Sequence, residues 1–265
     1  MLLKKYKNLL VIKEDKILTI SVNRPKVLNA LNKELLSELK ALLTLITDTD
    51  FKDLRGVILS SEGEKAFIAG ADIKEMDALE DDKASEFSSL GQEVSLLFSK
   101  VKVPVIACVQ GYALGGGCEM AMSADWIYAT ENAIFGLPEL SLGLIPGFGG
   151  TKRLAQFVGL AKAKELIFTG SKWSAQEACK NLLVNQVFSS KEEMLAFAKK
   201  QLLKVERQSA LGVFYSKKTM EEAYFCNMQD SMSIEKKSFS AIFSSKDKRT
   251  GIKAFLSKEK PNFQY

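Results

Sequence analysis

Gly111-Tyr112-Ala113-Leu114-Gly115-Gly116-Gly117-Cys118-Glu119 lies between an apolar segment typical of a buried strand, 103–109, and a helical pattern over 118–124. Glycines at a junction of this kind let the backbone approach a ligand closely, and the first amides of the helix are unpaired. Such amides suit a phosphate or a developing oxyanion. The alternative is a tight structural turn. A dinucleotide-binding fingerprint requires G-x-G-x-x-G, and this stretch does not contain it.

Strand and helix patterns alternate on both sides of this stretch. Asn32 is predicted to cap a helix whose apolar stripe runs through Leu35, Leu36, Leu39, Leu42, Leu43 and Ile46, and a second helix is predicted over 84–100. Strands are predicted at Lys16–Val22, Gly56–Ser60, Val103–Val109 and Trp126–Thr130. This order indicates an α/β fold with a largely parallel sheet and helices outside it.

The pattern becomes helical from Gly149 onward. Helices are predicted at about 161–169, 174–180, 191–206, 209–224, 229–243 and 248–257. We therefore expect an α/β core over residues 1–190 and a helical region over residues 191–265. The acidic stretch Met76–Lys83 is predicted to be a mobile surface loop.

The composition narrows the function. The net charge of +5 permits an anionic ligand but also fits solvated helix faces, and nothing in the chain resembles a nucleic-acid-binding module. The four cysteines lack metal-ligand spacing and the 265-residue chain has no histidine, so no metal site is expected. The longest uncharged run, 103–118, is too short to cross a membrane, and the N-terminus does not resemble a signal peptide. The expected location is the cytoplasm.

Two glutamates in apolar surroundings are the candidates for proton transfer. A protein without histidine must use another group near neutral pH, and carboxylates in apolar surroundings are suited to this. Glu119 ends the glycine stretch, and Glu139 ends the apolar segment 133–139. The alternatives are a helix-capping role for Glu119 and an exposed loop charge for Glu139.

A second glycine-containing turn, Ala69-Gly70-Ala71-Asp72-Ile73-Lys74, follows the strand predicted at 56–60. Two turns at neighbouring strand ends can each direct one amide at the same carbonyl oxygen. This arrangement stabilises an enolate, and loss of one such donor typically costs about 3–4 kcal/mol.

Five ordered blocks resemble the crotonase (enoyl-CoA hydratase/isomerase) superfamily over essentially the whole chain. The blocks are Asn23-Arg24-Pro25 with Asn29-Ala30-Leu31, Ala66 to Met76, Val109 to Glu119, Phe135 to Glu139, and Gly143 to Thr151 with Leu154. The C-terminal residues Phe255-Leu256 and Lys260-Pro261-Asn262-Phe263 also fit.

The resemblance implies a fold and a set of site residues. The implied fold is a crotonase-like spiral of ββα units with a helical C-terminal trimerisation region, assembled as a homotrimer or as a hexamer of paired trimers. The implied catalytic residues are Glu119 and Glu139, the implied oxyanion-hole amides are those of Ala71 and Gly116, and Gly147 is implied to lie beside the reacting water. Residues implied to line the acyl-CoA are Lys26, Leu28, Ala69, Asp72, Ile73 and Lys74. Coenzyme A is part of the substrate in this family, so no separate cofactor is expected.

Retention of both glutamates most resembles enoyl-CoA hydratase, a hydro-lyase of fatty-acid metabolism and β-oxidation. In the implied mechanism Glu119 activates a water that attacks C3 of a trans-2-enoyl-CoA, and Glu139 protonates C2. Crotonyl-CoA is an expected short-chain substrate. The alternatives are an isomerase that moves a 3-enoyl double bond with Glu139 alone, and a non-catalytic family member that binds acyl-CoA or RNA.

Overall fold

Ten strands and eleven helices occur in the computed structural model, which describes residues 5–263 apart from the side chain of Asp81. The strands are β1 (Leu9–Glu14), β2 (Ile17–Val22), β3 (Gly56–Ser61), β4 (Ala66–Ile68), β5 (Val105–Val109), β6 (Tyr112–Leu114), β7 (Trp126–Thr130), β8 (Ile134–Gly136), β9 (Lys172–Ser174) and β10 (Gln186–Phe188). The helices are α1 (Lys33–Thr47), α2 (Ile73–Asp77), α3 (Ala84–Lys100), α4 (Gly116–Ala121), α5 (Gly150–Val158), α6 (Leu160–Thr169), α7 (Ala175–Lys180), α8 (Lys191–Glu206), α9 (Ala210–Ala223), α10 (Met228–Phe243) and α11 (Lys246–Leu256).

The strands form two sheets. One has the order β1-β2-β3-β5-β7-β10 and is parallel except for the β1–β2 hairpin. The other has the order β4-β6-β8-β9, and its first three strands are parallel. In the chain, β3, β5 and β7 of the first sheet are each followed by a strand of the second. The two sheets are therefore built from ββα units that contribute one strand to each sheet. The predicted α/β class is confirmed.

Helix α1 follows directly from its sequence. The Asn32 side chain accepts a hydrogen bond of 2.9 Å from the Leu35 amide and so caps the helix as predicted. The six apolar residues of its stripe, from Leu35 to Ile46, are at most 1% exposed. Burial of each such side chain contributes roughly 1.5–3 kcal/mol, so this face fixes α1 against the core.

Two predicted loops contain regular structure. The glycine stretch after β5 includes strand β6, and its helix spans Gly116–Ala121 instead of 118–124. The predicted loop at 76–83 begins in the last turn of α2 and ends in a short 3-10 helix, Asp81–Lys83. Strands and helices of three to six residues are too short to show a hydrophobic period, which explains both differences.

The first helix after residue 190, α8, packs against the first sheet. In α8, Met194, Ala198 and Leu202 are buried in one apolar cluster with Ile58 and Ile106 of the sheet. The next helix, α9, packs against α10. The division into a core at 1–190 and a helical region at 191–265 stays a prediction. Among residues 5–263, no helix has the length and apolar character needed to cross a bilayer.

Candidate active site

The two glycine-containing turns lie side by side. Gly70 has φ +109 and Gly115 has φ +52 with ψ −126, backbone conformations that residues with a β-carbon rarely adopt. A β-carbon added to Gly115 would lie 3.9 Å from the Gly70 α-carbon. The turn after β4 and the turn after β6 therefore approach each other with their backbones, as the parallel pairing of these two strands requires.

Each turn presents one amide that its own hydrogen bonds do not use. A parallel bridge with Leu31 fixes the first turn: the Leu31 amide donates to the Gly70 carbonyl at 2.8 Å, and the Asp72 amide donates to the Leu31 carbonyl at 2.8 Å. The Ala71 amide lies between these two bonds and outside both. Gly116 is the first residue of α4, so its amide has no acceptor within the helix. Two such amides suit an oxyanion.

Glu119 is 1% exposed, and its carboxylate is held by backbone amides from another part of the chain. Its Oε1 accepts a hydrogen bond of 2.8 Å from the Phe148 amide and one of 2.6 Å from the Gly150 amide. Gly150 is the first residue of α5, so the carboxylate lies at the N-terminus of that helix, where a negative charge is favoured. Glu119 lies in the first turn of α4 as the alternative of a helix-capping role requires, but its carboxylate accepts its hydrogen bonds from residues 148 and 150.

Glu139 lies on the other side of the glycine turn. It opens a short 3-10 helix, Glu139–Leu142, directly after Pro138. Oε1 would lie 3.1 Å from a β-carbon on Gly115, and Oε2 is buried without a hydrogen-bond partner among the described residues. The alternative of an exposed loop charge is wrong. A buried oxygen without a partner is costly, and such groups are often found where a ligand supplies the missing bond.

The environments of the two carboxyls differ. Burial raises the pKa of Glu139 to about 7; its own backbone amide opposes the shift, and the negative charge of Glu119 adds to it. Burial also raises the pKa of Glu119, but the amides of Gly150 and Phe148 and the charge of Arg153 all act in the opposite direction. Glu119 is thus provided with partners for its anion, whereas Glu139 is favoured to hold a proton near neutral pH.

Most of the residues implied to bind substrate lie around the first turn. Ala69, Asp72, Ile73 and Lys74 lead from β4 through the turn into α2, with Ile73 and Lys74 exposed. The Ala69 amide donates to the Leu28 carbonyl at 3.1 Å, which joins this turn to the loop that carries Leu28.

That loop begins with a short 3-10 helix, Pro25–Val27, on which Lys26 is exposed. The Asp72 carboxylate pairs with Arg24 at 3.2 Å, so it helps to hold the loop against the turn. The structure therefore brings Lys26 and Leu28 to the same side of the protein as the Ala71 amide.

Gly147 lies at the loop that holds Glu119. Its carbonyl accepts hydrogen bonds from Ser88 Oγ at 2.8 Å and from Gln92 Nε2 at 3.1 Å, and its backbone also lowers the pKa of Glu119. The sequence did not identify the Phe148 and Gly150 amides as functional groups. The available signal was Gly149-Gly150 at the start of a helix, a position that favours an anion.

A cavity of about 980 Å³ does not contain the carboxylates. It lies between the core and α9, and its lining includes Arg153, Lys217 and Glu221 but neither Glu119 nor Glu139. We place the candidate site at the glutamates because Glu119 is buried and held by two amides and because Glu139 has a buried oxygen without a partner among the described residues. The volume of the cavity beside α9 does not by itself indicate a site. In the described part of the chain, no group of three or more acidic or cysteine side chains is arranged to hold a metal ion.

Comparison with known proteins identifies the family. The family model described as enoyl-CoA hydratase/isomerase matches residues 13–265. A crotonyl-CoA hydratase of Syntrophomonas wolfei is 43% identical over 97% of this chain and 98% of its own length. A short-chain-enoyl-CoA hydratase of Clostridium acetobutylicum is 40% identical over 96% of each chain. A crystal structure of an enoyl-CoA hydratase from Bacillus anthracis superposes with a TM-score of 0.92 at 34% identity, covering 97% of this chain and 99% of that one. The chain belongs to the enoyl-CoA hydratase/isomerase family.

Proposed function

We propose that the protein is an enoyl-CoA hydratase, which adds water reversibly across the C2–C3 double bond of a trans-2-enoyl-CoA. The relatives named as crotonyl-CoA and short-chain-enoyl-CoA hydratases, at 43% and 40% identity, support the reaction and a short acyl chain such as that of crotonyl-CoA. The observation that carries the proposal is the difference between the two carboxyls beside the glycine turn. The Glu119 carboxyl accepts hydrogen bonds from two amides, and Glu139 has a buried oxygen without a partner among the described residues.

The thioester carbonyl is expected to rest on the Ala71 and Gly116 amides. When water attacks C3, negative charge moves to this oxygen and the substrate becomes an enolate. Both amides are already fixed by the turns that carry them, so little reorganisation is needed as the charge develops. Each is expected to contribute about 3–4 kcal/mol to transition-state stabilisation.

Each of the two carboxyls then transfers one proton, Glu119 as an acceptor and Glu139 as a donor. Glu119, as the anion, takes a proton from water while the water oxygen bonds to C3. Glu139, as the neutral acid, gives its proton to C2 and becomes an anion. One proton is present on the pair before and after the step, so dehydration runs through the same states in reverse.

A homotrimer or hexamer, the expected cytoplasmic location and the absence of a separate cofactor belong to the same proposal. The C-terminal helices expose many large apolar side chains, which supports burial against another subunit. These side chains are Met220, Tyr224, Phe225, Met228, Met232, Phe239, Phe243, Phe255 and Leu256. Light scattering on the purified protein tests the oligomer, and a monomer at micromolar concentration would contradict it.

The function is tested with crotonyl-CoA. We expect the purified protein to remove the ultraviolet absorbance of the conjugated enoyl thioester as water adds. Glu119→Gln and Glu139→Gln should each lower the rate by several orders of magnitude, because glutamine keeps the shape of the side chain but cannot accept or donate the proton. Both variants should still bind butyryl-CoA, a saturated analogue, in calorimetry.

Other outcomes select the alternatives. Full activity of Glu119→Gln toward a 3-enoyl-CoA would identify an isomerase that uses Glu139 alone. Loss of butyryl-CoA binding in both variants would assign the carboxylates a structural role. RNA that stays bound at high salt, without any hydration, would favour the non-catalytic alternative, because contacts to phosphate weaken steeply with salt.

A further inference from the structure

Arg153 contacts the loop that holds Glu119. It belongs to α5, one turn after the two glycines at the start of the helix. Its Nη1 donates to the Phe148 carbonyl at 3.1 Å. The amide of the same residue donates to Glu119 Oε1 at 2.8 Å. The guanidinium and the carboxylate are therefore joined through the Phe148 residue and do not need to touch.

The guanidinium is also tied to a neighbouring helix. Nη1 donates to Ser95 Oγ at 3.2 Å, and Nη2 donates to the Ser95 carbonyl at 3.2 Å. Ser95 lies on α3 and is 1% exposed, so this anchor is inside the protein. Gly149 has φ +103, and a β-carbon there would collide with Nη1, which shows how closely the guanidinium packs against the turn. One planar group thus connects α3 to the Glu119-binding loop.

The same face of α3 fixes the loop at two more points. Ser88 and Gln92 both donate to the Gly147 carbonyl, at 2.8 Å and 3.1 Å. Ser88, Gln92 and Ser95 are spaced by four and three residues, so they lie along one side of the helix. The loop is held at Gly147 by uncharged groups, and at Phe148 by Arg153.

We propose that Arg153 is a positioning residue for the hydratase reaction, which holds the Phe148 peptide so that Glu119 keeps its reactive orientation. The inference rests on the proposed function, since it assumes that Glu119 is the base. A displacement of about 1 Å in a catalytic group can lower a rate about 10²-fold. Arg153 acts on Glu119 through a backbone group, so its loss is expected to affect turnover more than substrate binding.

The charges around Arg153 also support its role as a positioning residue for Glu119. The positive charge of Arg153 favours the anion of Glu119, and the negative charge of Glu221 on α9 also interacts with Arg153. The other ionisable groups around these side chains are Glu139 beside Glu119, and Asp125, Lys217 and Tyr224 in the cavity that Arg153 lines. Loss of the cation is expected to raise the pKa of Glu119, and so to move the acidic limb of the pH–rate profile to higher pH.

The test compares Arg153→Lys and Arg153→Met with Arg55→Met. Arg55 is a matched control because it is 3% exposed and donates to the carbonyls of Val205 and Gln208, far along the chain from the site. We expect kcat for crotonyl-CoA to fall about 10²-fold in Arg153→Met with KM within a few-fold. Arg153→Lys keeps the charge but cannot span Ser95 and Phe148, so its kcat should also fall. Arg55→Met should keep its kcat and pH profile even if it is less stable.

A second readout does not depend on activity. Carbon-13 labelling of glutamate carboxyls, with Glu119→Gln to assign the signal, gives the titration of Glu119 directly. The expected result is a higher pKa of Glu119 in Arg153→Met and an unchanged one in Arg55→Met. Wild-type turnover in Arg153→Lys, or a Glu119 titration that does not move in Arg153→Met, would overturn the inference. Failure of the wild-type protein to hydrate crotonyl-CoA would instead reject the proposed function, and the titration would still test the contact between Arg153 and Glu119.

Discussion

Glu119 and Gly150 lie 31 residues apart in the chain, and a hydrogen bond of 2.6 Å joins the Gly150 amide to Glu119 Oε1. A β-carbon on Gly150 would lie 2.8 Å from both Cγ and Oε1 of Glu119. Gly150 therefore supplies a donor and also the space that the carboxylate occupies. Its φ is not in the left-handed region, so the need for glycine here comes from the contact and not from the backbone conformation.

Gly150→Ala is predicted to displace the Glu119 carboxylate. We expect kcat to fall about 10²-fold, because the new methyl group takes the place of the carboxylate and shifts it by roughly the distance that such losses require. Gly251→Ala is the control, since its nearest neighbour would be Phe263 at 3.7 Å. Steady-state rates with crotonyl-CoA measure the difference. Wild-type turnover in Gly150→Ala would show that the site tolerates the methyl group.

Glu139→Gln is predicted to stabilise the protein at alkaline pH. The folded-state pKa of about 7 lies above the ordinary value of 4.5, so the folded protein binds this proton more tightly than the unfolded chain. The stabilisation from proton binding is complete below about pH 4.5 and is lost as the pH rises through about 7. Glutamine does not ionise, so its advantage over the wild type should be absent at acidic pH and complete above about pH 8.

The expected gain is about 1–2 kcal/mol, reduced from the full value of the pKa shift because the carboxyl is partly exposed to solvent. Thermal unfolding at pH 5 and pH 8 measures it, and the exposed Glu131→Gln serves as the control. Equal melting temperatures of Glu139→Gln and wild type at pH 8 would contradict the raised pKa.

The pH dependence of hydration and dehydration is predicted to be the same on the alkaline side. Both directions require one proton on the carboxyl pair, so kcat/KM should fall above about pH 7 whether crotonyl-CoA or 3-hydroxybutyryl-CoA is the substrate. The value of kcat/KM falls in both directions because the carboxyl pair loses its last proton in this pH range. A dehydration rate that keeps rising to pH 9 would mean that Glu139 acts alone as a simple base.

Lys217→Met is predicted to loosen α9 from the core. Asp125 Oδ2 accepts a bond of 2.9 Å from Lys217 Nζ and one of 2.6 Å from the Val105 amide, and the lysine side chain is only 10% exposed. Removal of a charged donor from this half-buried carboxylate should cost about 1.5–3 kcal/mol of unfolding free energy. Urea denaturation measures the change.

The neighbouring Lys218→Met is the matched control for this substitution. Its pair with Glu222 spans 3.8 Å between two side chains that are both about half exposed, so the loss should be under about 0.5 kcal/mol. Equal losses of unfolding free energy in the two variants would show that the bond from Lys217 to Asp125 does not hold α9 in place.

The sequence predicted the elements that are long enough to show a period. Helix α1 has its cap at Asn32 and six apolar residues on one side, and both features can be read locally. The second sheet consists of three-residue strands whose pairing depends on partners such as β6 and β8, which lie about twenty residues apart in the chain. No local pattern encodes that pairing, so the sheet was not predicted.

Some groups of the candidate site could likewise be predicted from the sequence, and others could not. Glu119 and Glu139 stand out in the sequence because charged residues are rare in apolar segments. The donors that hold Glu119 do not stand out, because they are peptide amides at 148 and 150 and any residue except proline carries one. Arg153 was not singled out either, since its contacts with Ser95 and Phe148 exist only in the folded chain.

The groups that donate hydrogen bonds to Glu119 are therefore main-chain atoms, as are the proposed oxyanion-hole donors, and that affects how the site can change. An ordinary point substitution exchanges a side chain and leaves the N–H in position, so proline is the only replacement that deletes a donor outright. Substitutions at Ala71 or Phe148 by residues other than proline can shift a donor but not remove it. New activities on this scaffold are thus expected to arise by exchange at 119 and 139, with the amides proposed to bind the thioester oxygen inherited unaltered.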